Sequence, residues 1–82
     1  MPKIETDYIL RLLRESGADQ AMTNIFLNPE NANVDDLKGL LHQFARIIIT
    51  RGTTDGQIND CGKAVDNAVT VITSILLEKE KH

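Results

Sequence analysis

Apolar residues recur at helical spacing through the second half of the chain. Val34, Leu37, Leu41, Phe44 and Ile48 step by three and four, and after Arg51-Gly52-Thr53-Thr54 the stepping resumes at Ile58, Cys61, Val65, Ala68, Ile72 and Ile75. Residues three and four apart share one face of an α-helix, so the two stripes predict an antiparallel helical hairpin that carries most of the core. Asn33 is placed to cap the first of these helices, with Asp35 and Asp36 favourable near its positive end. This helix is expected to reach about Arg51, with Gly52 as a left-handed stop. Thr54 is expected to cap the next helix, with Gln57 three residues on completing a capping box, and that helix extends to about Lys79.

The first half predicts two shorter helices. One opens at Thr6 or Asp7, carries Tyr8, Ile9, Leu12 and Leu13 on one face, and stops at Gly17. The other covers Asp19 to Leu27, with Ala21, Met22, Ile25 and Phe26 on one side. Asn28-Pro29 ends it, because the residue before proline avoids helical backbone angles. The fold class is therefore all-α: a small four-helix domain with two short N-terminal helices and a long C-terminal antiparallel helical hairpin.

Two β-branched runs, Ile47-Ile48-Ile49-Thr50 and Val69-Thr70-Val71-Ile72-Thr73, lose side-chain freedom in helices and leave buried strands as an alternative. The stripes continue through both without a phase break, which favours helices. These runs also leave the hairpin apolar around more of its circumference than a two-helix contact requires. Ile47, Ile49, Val69 and Leu76 are accordingly expected at a self-interface. Gly39 and Gly62 interrupt the predicted helices, each at a cost of about 1 kcal/mol relative to alanine. Folding the hairpin about Gly52–Thr54 places Gly62 roughly opposite Phe44, where a missing side chain makes room for the ring.

With 82 residues and 9.1 kDa, the chain is expected to be one domain over 1–82. Cores of this size rarely supply more than about 3–5 kcal/mol without a staple. Cys61 is the only cysteine, so no internal disulfide is available, and oligomerisation is the staple left. The net charge is −3 and the positive residues are scattered, which disfavours direct nucleic-acid binding. No apolar run has membrane-spanning length and the opening residues do not read as a signal peptide, so a cytoplasmic location is expected.

No set of residues points to catalysis, a metal or a cofactor. Asp55-Gly56-Gln57-Ile58 resembles the centre of a calcium loop, but the first and twelfth positions of such a loop would be Arg51 and Gly62. His42 lies on a predicted helix, as a phosphotransfer histidine does, and reads as a solvated side chain. Neither serine stands in the Asp-Ser-Leu of an acyl carrier protein. No nucleophile motif is present, and the chain is read as non-enzymatic. The stretch from Thr6 to Arg14 resembles the opening helix of the Hha family, small all-α modulators that bind nucleoid proteins. The resemblance covers nine of 82 residues, and Phe44-Ala45-Arg46 stands in the region of the family's acidic-histidine signature. No residue role is carried across.

These readings lead to a small cytoplasmic protein that acts by protein–protein interaction, as a regulator, inhibitor or immunity-type antagonist, and self-associates. Tyr8, Arg11, Arg14, His42, Arg46 and Arg51 are its expected partner contacts. The alternative is an oligomer that binds or sequesters a small anionic ligand, such as a nucleotide, near Arg51, Thr53, Thr54 and Lys63, where a helix N-terminus favours negative charge.

Overall fold

A computed structural model describes residues 5–81. The opening segment 1–4, read above against a signal peptide, and His82 lie outside them. The fold is all-α, with four helices: α1 (Thr6–Glu15), α2 (Gln20–Leu27), α3 (Val34–Thr50) and α4 (Asp60–Glu80). A 3-10 turn over Pro29–Asn31 joins α2 to α3, and a two-stranded ribbon, β1 (Thr53–Thr54) and β2 (Gln57–Ile58), joins α3 to α4. Both β-branched runs are helical.

Local chemistry sets the helix ends. Gly17 adopts φ +92°, and the amides of Gly17 and Ala18 donate to the carbonyls of Arg14 and Leu13. Those two bonds make a Schellman stop, which an L side chain at Gly17 would strain. The Asp19 carboxylate accepts from the Met22 amide at 2.9 Å and caps α2. The Asn33 side chain does the same for α3, accepting from the Asp36 amide at 2.7 Å.

α3 and α4 pack antiparallel, and α1, α2 and the 3-10 turn cover one face of that pair. The core is built from Ile9, Leu12 and Leu13 of α1, Phe26 of α2, Leu37, Leu40, Phe44 and Ile47 of α3, and Val65, Ala68, Ile72 and Leu76 of α4. Phe26 meets Phe44 edge-on, with ring centroids 5.8 Å apart. At the far end, the Lys79 ammonium donates to the Glu30 carbonyl at 2.7 Å and ties α4 to the turn.

The core ridge of α3 keeps Leu37 and Phe44 of the expected stripe but is rotated toward Leu40 and Ile47. Leu40 and Ile47 are fully buried, whereas Leu41, Ile48 and Val34 are only partly so. α3 is pressed from two sides, by α4 and by the α1–α2 layer, and its most buried line falls between them. On α2, Ala21 is exposed, Met22 and Ile25 are half-buried, and the buried polar residue is Thr23, whose hydroxyl donates to the Gln20 carbonyl at 2.9 Å.

The α3–α4 turn differs most from expectation. Gly52 has no positive φ; Asp55 (φ +52°) and Gly56 (φ +78°) do. They form the two-residue loop between Thr53↔Ile58 and Thr54↔Gln57, as a type I′ hairpin turn requires. Thr54 is therefore in a strand and does not cap α4. Asn59 is the cap, accepting from the Gly62 amide at 2.9 Å. Ile58 leaves the predicted helical stripe and sits half-exposed on β2.

Gly52 and Gly62 answer to each other, not to Phe44. A Cβ on Gly52 would lie 2.7 Å from the Gly62 Cα, and one on Gly62 would run into the Gly52 carbonyl oxygen. Glycine at both positions lets the two chain segments touch. Gly39, by contrast, has open space where a Cβ would stand.

Candidate functional site

The polar residues of interest gather at the end of the molecule where α1, the end of α3 and the start of α4 meet. Tyr8 and Arg11 project from α1 one turn apart, with the Arg11 guanidinium carbon 5.8 Å from the Tyr8 ring centroid. Arg51, just past α3, donates from Nη1 to the Glu15 carboxylate at 2.6 Å, and this bond raises the Arg51 guanidinium above its ordinary value. Cys61, in the first turn of α4, is half-buried beside the Tyr8 hydroxyl.

The Tyr8 phenol is held above its ordinary value. The neighbouring Cys61 thiol is the main cause, and partial burial adds to it. Both favour the neutral phenol. The stability this contact contributes is therefore present below about pH 10 and is lost as pH rises through the raised Tyr8 value. Tyr8 is the only tyrosine and the chain has no tryptophan, so phenolate absorbance reports it alone. The expected midpoint lies above that of a free tyrosine, and Cys61→Ala should move it back down. A midpoint unchanged by Cys61→Ala would contradict the contact.

Two concavities flank this cluster. One is an open shelf of about 580 Å³ lined by Glu5, Thr6, Asp7, Tyr8, Arg11 and Asp60. Three carboxylates and the Arg11 guanidinium line it, which leaves it acidic on balance. The other is a groove of about 330 Å³ lined by Glu15, Ser16, Gln43, Arg46, Thr50 and Arg51, among others. The Gln43 amide donates to the Ser16 hydroxyl at 2.6 Å across its floor and links α3 to α1. The pairing of Gln43 with Ser16 was not foreseen, because residues 27 apart carry no local periodic signal.

The expected contact residues are only partly brought together. Tyr8, Arg11 and Arg51 share the cluster, and Arg46 joins through the groove. Arg14 is exposed on the last turn of α1. His42 lies elsewhere on α3, around a shallow groove of about 270 Å³ with Lys38, Leu41 and Ala45. The threonine hydroxyls are already engaged: Thr53 donates to the Ile48 carbonyl at 2.9 Å, and Thr54 accepts from the Asn59 side-chain Nδ2 at 3.0 Å. Of the expected self-interface residues, Ile47 is fully buried and Leu76 nearly so, because both point into the core. Ile49, at 75% exposure, and half-buried Val69 do reach the surface.

Among the described residues, no cluster of three or more His, Cys, Asp or Glu side chains is arranged to hold a metal ion. Among these residues, too, no helix is long and apolar enough to cross a membrane. Comparison with protein-family models, curated proteins and solved structures finds no significant match.

Proposed function

We propose that this chain is a small non-enzymatic protein of the cytoplasm that acts by protein–protein contact and assembles with copies of itself. The observation that supports this reading most is the surface of the α3–α4 hairpin turned away from α1 and α2. Ile49 of α3 and Leu77 of α4 are 75% and 54% exposed there, and exposed large apolar groups on a helix face mark interaction surfaces. The Tyr8–Arg11–Arg51 end, with its acidic shelf, is the polar counterpart. Tyrosine and arginine are the residue types that anchor partner contacts.

The alternative, a small anionic ligand, draws support from Arg46 and Arg51 lining one groove. Three features oppose it. Glu15 already holds Arg51, and α1 and α3 both direct their negative C-terminal ends there. The α4 N-terminus, for its part, carries Asp60 and is capped by Asn59. A thermal-shift series with nucleoside phosphates and inorganic phosphate separates the readings. Protein contact predicts no shift with any of them. A ligand at 100 times its dissociation constant would add about 2.7 kcal/mol, and such a shift would overturn the proposal.

A further inference from the structure

The hairpin face opposite α1 and α2 carries a second pair of helical stripes, distinct from the core ridges. On α3, Leu41, Ala45, Ile48 and Ile49 follow the three-and-four spacing on the side next to α4. On α4, Asp66, Val69, Thr73, Leu77 and Glu80 follow the same spacing on the corresponding side, so Val69 and Leu77 are its apolar members. Leu41, Ile48 and Val69 are half-buried, and Ala45, Ile49 and Leu77 are exposed. The groove beside Leu41 and Ala45 keeps this face from being flat.

Charge fixes one end of it. Lys38 of α3 and Glu80 of α4 stand across from each other there, 3.9 Å apart and both about half exposed. We propose that this face is a two-fold self-interface, occupied by the same face of a second copy of the chain. The proposal rests on the self-association part of the functional reading above and names its surface. A two-fold axis running along the hairpin sets α3 of one copy on α4 of the other. Each Lys38 then lies over the partner's Glu80, and the four groups form a square of alternating sign. Every helix in the resulting four-helix layer has antiparallel neighbours, as in up-down-up-down bundles.

The size also fits. α3 has 17 residues, and at about 1.5 Å per residue and about 10 Å per helix the hairpin face covers roughly 500 Å². Two such faces bury about 1,000 Å², near the lower bound of specific interfaces, so the dimer is a weak one.

The test is the dimer dissociation constant, from molar mass by light scattering over a concentration series. It compares wild type, Lys38→Glu, Glu80→Lys and the double exchange. Both altered positions are exposed, so the fold is retained, which circular dichroism verifies. Each single change puts like charges together and is expected to weaken the dimer about tenfold or more. The double exchange restores the alternating square and should return the constant to near the wild-type value. A wild-type dimer indifferent to all three variants would overturn this surface while leaving self-association standing. A wild type that stays monomeric would overturn both, leaving contact with other proteins as the remaining part of the functional reading.

Discussion

Phe44→Ala is expected to cost about 3–5 kcal/mol, the range for removing a buried aromatic side chain. Phe44 is the largest fully buried side chain among the described residues, and it holds the Phe26 ring edge-on. It sits on α3, the helix that contacts each of the other three. Truncation therefore leaves a cavity where all the layers meet, and α2 loses its principal buried contact. A domain this small has a total stability at the low end of about 5–15 kcal/mol. The variant should consequently be largely unfolded or close to it at 25 °C. Urea denaturation followed by circular dichroism reads this directly. A loss below about 1 kcal/mol would mean that the α1–α2 layer is not anchored as described.

Gly62→Ala should also destabilise strongly, by about 2–3 kcal/mol, although alanine is the better helix former. The added methyl would strike the Gly52 carbonyl oxygen and stand 2.5 Å from the Ile58 Cγ1. The Gly52 carbonyl cannot easily retreat, because it accepts from the Asn59 amide at 2.9 Å. Relieving the clash therefore disturbs the ribbon and the α4 cap together. Gly39→Ala is the matched comparison: the same change in open space on α3 should stabilise by up to about 1 kcal/mol. Thermal or urea denaturation of the two variants should give shifts of opposite sign. Equal shifts would mean that Gly52 and Gly62 are not in contact.

Periodicity alone was enough to read the four helices, because each carries an apolar stripe long enough to outweigh the β-branched runs. It was less informative about phase. A stripe marks which residues face inward against one neighbour, and α3 has neighbours on two sides, so Leu40 and Ile47 took the deepest places. The ribbon was legible but misread. Asp55-Gly56 between Thr53-Thr54 and Gln57-Ile58 is a hairpin signal, yet Thr54 and Gln57 also satisfy the spacing of a capping box, and Asn59 completes a competing cap. The contact of Gly52 with Gly62 depends on how the ribbon closes, which no local pattern encodes. For the site, clustering of Tyr8 with Cys61 and of Ser16 with Gln43 depends on the angle at which α1 crosses the hairpin. Exposure of Ile49 was legible, because three consecutive isoleucines on a helix cannot all point to the core.

The central claim is that the outer face of the hairpin is where this protein meets its own copies. Light scattering on wild type, Ile49→Glu and Leu27→Glu tests it most directly. Ile49 and Leu27 are both exposed apolar residues, one on the hairpin face and one at the end of α2. The account predicts that wild type and Leu27→Glu rise with concentration toward twice the 9.1 kDa chain mass, while Ile49→Glu stays at 9.1 kDa. A wild type fixed at 9.1 kDa, or a dimer lost with Leu27→Glu and kept with Ile49→Glu, would contradict it.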